Sequence, residues 1–321
     1  MNKNIIERQE IVPEKYSGER FDKIVALLIP EFSRSRLKQW ILSGELKVNQ
    51  QIVKPKIKVF GGDMIELSGV VADEVHHQAE SIRLNVVYED ESILVINKPA
   101  GLVVHPAAGH HHGTLLNGLL NHCDELNAIP RAGIVHRLDK DTTGLMVVAK
   151  TLSAHKQLVD QLQERTVSRI YEAVACGVMT AGGCVNEPIG RHRIDRKKMT
   201  VTENGKHAVT HYRLLEKFSH HTHVRVQLET GRTHQIRVHM AHIRYPLVGD
   251  QVYRGRLKIP AGCSDELAEK LRRFKRQALH AKELGLTHPE SGELMQWQST
   301  LPDDFMNLLE CLKNDENNAP L

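Results

Sequence analysis

Apolar residues recur along this chain with two different periods, and the change of period divides it. Phe21, Ile24, Val25 and Leu28 stand at i, i+3, i+4 and i+7, the stripe of an amphipathic helix. Leu37, Trp40 and Ile41 give a second helical face, with Ser33 placed to N-cap it and Gly44 suited to end it. Short strand-like runs follow: LKV, QIV, IKVF and, after a GGD turn at 61–63, MIEL. Residues 17–68 thus predict a small helix–helix–strand domain. Residues 69–81 are polar and acidic, lose periodicity, and read as a linker.

Between 82 and 312 the two periods alternate in a larger domain. LNVVY, ILVIN, LVVH, GLMVVAK and VSRIYEAVA read as strands. HVRVQLE alternates strictly, with Val224, Val226 and Leu228 set against His223, Arg225, Gln227 and Glu229. SAHKQLVDQLQE predicts a helix capped by Ser153. SDELAEKLRRFKR predicts another, capped by Ser264, with acids in its first turn and cations in its last to match the helix dipole. DDFMNLLECLK closes the domain, and 313–321 read as a disordered tail. The expected fold class is α+β, a small N-terminal helix–helix–strand domain plus a larger domain with a mixed, mainly antiparallel sheet flanked by helices.

Composition narrows the function classes. The 321 residues are 40% hydrophobic and 26% charged, ordinary usage for about two globular domains. No apolar run approaches the roughly 18 residues of a membrane span, so no membrane partner is expected. MNKNIIERQE has no apolar signal core, and the five cysteines have no CxxC spacing, which fits a cytoplasmic protein. Net charge is only +4 and aromatics are 4%, so an RNA partner would be held by charge and shape rather than by stacking platforms.

Three segments offer chemistry. Ser33, Arg34, Ser35 and Lys38 gather hydroxyls, free amides and cations at the start of the second helix, a phosphate clamp or a solvated charged face. RHRIDRKKM at 191–199 carries Arg191, Arg193, Arg196, Lys197 and Lys198 in an aperiodic loop open to the same two readings. HRLDKDTTG ends at Gly144 before an apolar strand. Its Asp139 and Asp141, beside Arg137 and Lys140, are either a satisfied turn or a reactive site. The 20 histidines include a run at 110–112 but no HExxH or Cys partner, so no metal is expected.

A resemblance bears on those alternatives. HRLDKDTTGLMVVAK is similar to the signature loop of the ribosomal-type pseudouridine synthases. INKPAGLVVHP, RIYEAVACG, LETGRTHQIRVHMAHIRYPLVGD and ALHAKELGLTHP agree with that family in the same order. Residues 17–68 resemble a small RNA-binding domain first described in a small-subunit ribosomal protein, with Gln50 where that family often has Gly. Thr143 stands where many relatives have Ser, and Ala108 where they often have Gly.

The resemblance implies a pseudouridine synthase fold for 82–312. It implies isomerisation of uridine to pseudouridine in large-subunit 23S rRNA, at several uridines of one intersubunit stem-loop, during ribosome biogenesis. The substrate is then that rRNA or a large-subunit precursor particle, the protein a monomer, and no cofactor is required. By the same resemblance Asp139 is the essential carboxylate, attacking the anomeric carbon or abstracting a neighbouring sugar proton. Arg237 stands opposite it, Tyr171 stacks on the uracil, Ile236 forms the other wall, and Arg137 fills the place of the everted base. A tRNA substrate, another rRNA site, or a non-catalytic assembly factor are the alternatives.

Overall fold

The computed structural model describes residues 4–32, 34–71, 78–106 and 112–317. The chain divides into two compact units, Met1–His76 and His77–Leu321.

In the first unit, β1 (Asn4–Ile11), β2 (Glu19–Arg20), α1 (Phe21–Leu28), α2 (Arg34–Ser43), β3 (Leu46–Val48), β4 (Lys58–Val59) and β5 (Met64–Val71) follow in order. β5 is central to a three-stranded antiparallel sheet between β1 and β3, while β2 pairs with β4. Phe21, Ile24 and Val25 of α1 meet Leu37, Trp40 and Ile41 of α2 over Leu46, Ile65 and Leu67. Burying each large side chain of this kind contributes about 1.5–3 kcal/mol. QIV does not form a strand. Asn49 and Gln50 both take left-handed φ (49° and 66°) in a turn, and Gln51 makes only an isolated bridge to Val48. Gln50 therefore adopts the conformation for which Gly is the default.

The unit begins before residue 17, because β1 pairs with β5 over its whole length, from Asn4 opposite Val71 to Ile11 opposite Met64. NIIERQEI has too many polar residues to announce a strand; backbone pairing fixes it. β5 also extends into the segment expected to be linker. Beyond it, Gln78 O accepts from Asn117 Nδ2 at 2.8 Å, and Glu80 N–H donates to Asn117 O at 3.0 Å.

In the second unit, the elements are β6 (Val86–Glu89), β7 (Ile93–Lys98), α3 (Leu115–His122), β8 (Thr143–Ala149), α4 (Leu152–Glu164), β9 (Ser168–Cys176), β10 (Gly183–Asn186), β11 (Ile189–Arg191), β12 (Met199–Val201), β13 (Val209–Lys217), β14 (His221–Leu228), α5 (Gln235–His242), α6 (Asp265–Arg273), β15 (Leu279–Thr287), β16 (Leu294–Gln298) and α7 (Asp303–Asn317). Nine strands form one sheet in the order β10-β13-β14-β9-β15-β8-β7-β6, with β16 also paired to β15. Every pairing in it is antiparallel except β8 with β15. This is the expected mixed, mainly antiparallel sheet.

Alternation along the strands buries both faces. Leu94, Ile96, Met146, Val148, Tyr171 and Val226 pack toward α3 and α5. Ile93, Val95, Leu145 and Val147 pack toward Ala154 and Leu158 of α4, and Val174 toward α6 and α7.

Three local expectations are corrected and a fourth is refined. LVVH is not a strand; Val103 makes one isolated bridge to Thr114. Thr151, not Ser153, caps α4, its hydroxyl accepting from Ala154 N–H at 3.0 Å. Residues 192–198 form a loop, as expected, and it is the loop of a hairpin, because β11 and β12 pair on either side of it. Helix α7 continues to Asn317, into the expected tail, where Asp315 Oδ1 accepts from Ser264 N–H at 2.6 Å and Lys313 pairs with Glu216.

Candidate active site

HRLDKDTTG turns into β8, and the junction depends on Gly144. Its φ is 114°, and a Cβ there would collide with the backbone of Ala281 on the neighbouring strand. Two hydroxyls fasten the same junction: Thr142 accepts from Gln277 Nε2 at 2.9 Å, and Thr143 bonds His280 Nδ1 at 2.8 Å. Behind the loop, buried Lys98 Nζ donates to the carbonyls of Pro99, Leu102 and Lys140 at 2.8, 3.0 and 2.8 Å. Three acceptors match the three N–H bonds of an ammonium. Burial pushes the Lys98 pKa down to about 7, against the pull of Asp141 and Asp139.

The loop presents Asp139 to α5, its side chain 16% exposed. Arg237 Nη1 donates to Asp139 Oδ2 at 2.9 Å. The rest of that guanidinium is taken by Asp250, with Nε to Oδ2 at 2.7 Å and Nη2 to Oδ1 at 2.9 Å, a bidentate pair. Asp250 is fully buried and also accepts from Val252 and Tyr253 N–H at 2.8 and 3.0 Å. Burial opposes both charges, yet their mutual bonds win: Arg237 is held above its ordinary pKa and Asp250 below the usual carboxylate range. The guanidinium reaching Asp139 is therefore permanently charged and fixed in direction. Asp139 Oδ1 has no hydrogen bond among the described residues; His234 Nε2 lies 3.8 Å from it. The arrangement offers a carboxylate with one oxygen anchored to a cation and the other available.

Of the residues expected here, Asp139 and Arg237 are bonded directly. Tyr171 and Ile236 share one buried apolar cluster with Leu138. Arg137 is exposed two residues before Asp139. Burial raises the Tyr171 phenol pKa, so the ring carries a protonated hydroxyl at neutral pH. Arg193, Arg196 and Lys197 are exposed on the β11–β12 hairpin; Arg191 Nη1 donates to Arg196 O at 3.1 Å, and Lys198 faces Asp195 at 3.8 Å. Arg34 and Lys38 are exposed on α2, opposite buried Leu37 and Trp40. Ser33 lies outside the described residues, as do His110 and His111, and Ser35 is described only as part of the helix backbone.

Sequence reading missed Asp250, His234 and Tyr253. The first two lie inside the 228–250 block; Asp250 is thirteen residues from Arg237, and no local spacing rule links them.

The carboxylate–guanidinium–carboxylate triad lies where the Asp139 loop enters β8, a central strand of the mixed sheet, with buried Tyr171 on central β9. The family model described as RNA pseudouridylate synthase matches residues 92–242, and one described as S4 domain matches residues 19–65. The chain belongs to the RNA pseudouridylate synthase family.

Among its relatives, the ribosomal large subunit pseudouridine synthase D of Pseudomonas aeruginosa is 58% identical, covering 97% of this chain and 98% of that protein. The protein of the same name from Haemophilus influenzae is 56% identical over 95% of this chain and 94% of its own. Among solved structures, human RNA pseudouridylate synthase domain containing 4 superposes with a TM-score of 0.54 at 29% identity, covering 71% of this chain and 93% of that one. Human RNA pseudouridylate synthase domain containing 1 gives 0.55 at 26% identity, over 73% and 89%. No helix among the described residues is long and apolar enough to cross a membrane.

Proposed function

We propose that this protein isomerises uridine to pseudouridine in large-subunit 23S rRNA, at several uridines of one intersubunit stem-loop, and so takes part in large-subunit biogenesis. It acts in the cytoplasm as a monomer, on the rRNA or a precursor particle. What carries this reading is the Asp139–Arg237–Asp250 triad in a chain that is 58% identical to a protein named for that activity.

The target base must leave its stack before any side chain reaches its sugar, and loop uridines are the cheapest to evert. Arg137, exposed beside Asp139, fills the vacated space. Ionised Asp139 then attacks the anomeric carbon or removes a neighbouring sugar proton. If it attacks, the N1–C1′ bond breaks as an Asp139–C1′ ester forms, and that ester breaks, returning the carboxylate, when C5 of the turned uracil bonds C1′. If it abstracts, the N1–C1′ bond breaks to leave a glycal, and C2′ regains its proton as C5 bonds C1′. In both cases C5 gives up its proton and N1 gains one, so nothing is consumed. Desolvation under RNA would tend to protonate a lone carboxylate; the charge on Arg237 opposes this. Tyr171 and Ile236 hold the detached uracil between them. Arg34 and Lys38 of the S4 domain, with Ser33 and Ser35, and the cations of the hairpin bind the RNA backbone.

The test is to delete the gene and map pseudouridine across rRNA and tRNA by chemical derivatisation. Loss of positions in 23S rRNA is expected. Loss confined to tRNA, or no loss, would overturn the substrate or the activity.

A further inference from the structure

Tyr253 lies in none of the segments that carry the resemblance, yet it touches both groups that face Asp139. Its ring packs beneath the Arg237 guanidinium, with Cζ 5.0 Å from the ring centroid. Its hydroxyl lies 2.6 Å from His234 Nδ1 and accepts from Met199 N–H at 2.9 Å. Met199 closes the basic hairpin.

Counting protons gives this contact a direction. The Tyr253 oxygen accepts from Met199, so its single O–H is free to donate, and the acceptor beside it is His234 Nδ1. In a neutral imidazole whose Nδ1 accepts, the proton sits on Nε2. Nε2 is the atom 3.8 Å from Asp139 Oδ1. His234 also has a left-handed backbone, φ 57°, a conformation that a non-glycine residue holds only where the surroundings fix it. Burial lowers the His234 pKa, and Asp139, Arg237, Asp250 and Arg137 are the charges around it.

We propose that Tyr253 is a positioning residue: anchored by the Met199 amide, it locks His234 in the tautomer that presents Nε2–H toward Asp139 Oδ1. The 3.8 Å separation is too long for a direct bond. It lets a ribose hydroxyl of the bound nucleotide accept from Nε2 while donating to Oδ1, so His234 contacts the substrate and Tyr253 acts through it. The chain Met199–Tyr253–His234 also ties the hairpin to the carboxylate. This deepens the proposed isomerase reading and rests on it.

Two measurements on the full chain test the proposal. In protein labelled with 15N-histidine, with His234→Gln used to assign the resonance, the His234 Nδ1 shift should be that of an unprotonated nitrogen, and Tyr253→Phe should move it toward a tautomer mixture. A protonated Nδ1 in the wild type would overturn the proposal whether or not the protein is active. In single-turnover assays on an rRNA stem-loop, Tyr253→Phe keeps the ring under Arg237. It should slow the saturated rate by roughly 100-fold, the scale of a small misplacement of reacting groups, and leave Kd for the RNA unchanged. Tyr253→Phe combined with His234→Gln should be no slower than His234→Gln alone, since one acts through the other. A wild-type rate in Tyr253→Phe, a loss confined to Kd, or losses that multiply would each overturn it. A wild-type chain inactive on every RNA would instead remove the isomerase reading, and the substrate role of His234 with it.

Discussion

The β11–β12 hairpin and the start of α5 lie in the same unit and both carry arginines, yet the structure treats those arginines in opposite ways. Arg193 and Arg196 stand in solvent. Arg237 is 5% exposed and its guanidinium is divided between Asp250 and Asp139. A buried charge is tolerated only when it is paired and hydrogen-bonded, so Arg237 comes with two carboxylates and a fixed orientation. Exposed cations need no partner, and in the proposed function they attract phosphates in a salt-dependent way. One region fixes the direction of its charge; the other leaves its charges free to turn, which is what the proposed chemistry and the proposed RNA binding respectively need.

Removing one member of the buried pair gives the largest expected effect on stability. Arg237→Gln leaves Asp250 buried without its cation, at a cost of about 3–5 kcal/mol, readable in urea unfolding, and it should also abolish turnover. The pH dependence follows from Asp250. Its folded pKa is depressed, so its contribution is fully present above the unfolded value of about 3.9 and is lost as pH falls through the lower folded value. The stability difference between wild type and Arg237→Gln should therefore narrow in acid. A difference that stayed constant down to pH 2 would speak against the pair.

Gly144→Ala should come next. It forces a side chain into a left-handed position against the Ala281 backbone, for a loss of about 2–4 kcal/mol in thermal melts. Wild-type stability there would mean the β8–β15 junction is looser than it looks.

On the hairpin, Arg193→Gln and Arg196→Gln should leave stability within about 0.5 kcal/mol of wild type. Each should weaken RNA binding and lower the slope of log K against log salt by about 0.7–0.9. The smallest effect is expected from Lys38→Gln on α2, one phosphate contact at most, by the same salt titration. Unchanged slopes in all three variants would remove RNA from these faces.

How much of this was legible in the chain depends on which residues carried it. The two helices of the first unit were readable from Phe21, Ile24, Val25, Leu37, Trp40 and Ile41, because a one-sided core imposes a period. β14 was readable for the same reason. β1 was not: its place comes from backbone pairing with β5, which leaves no mark on side-chain order. Asp139 and Arg237 were reached by resemblance rather than by pattern, since from the residues alone Arg237 was indistinguishable from a surface cation. Asp250 and Tyr253 were missed because the fold brings them beneath α5 through a turn whose residues have no periodicity.

The central claim is that the carboxylate of residue 139 does the chemistry and that its neighbours serve to hold it charged and aimed. Purified Asp139→Asn keeps the size and most of the hydrogen-bonding capacity of the side chain while removing the charge. In single-turnover reactions at saturating protein it should bind an rRNA stem-loop as tightly as wild type and form no pseudouridine; formation at the wild-type rate would contradict the account.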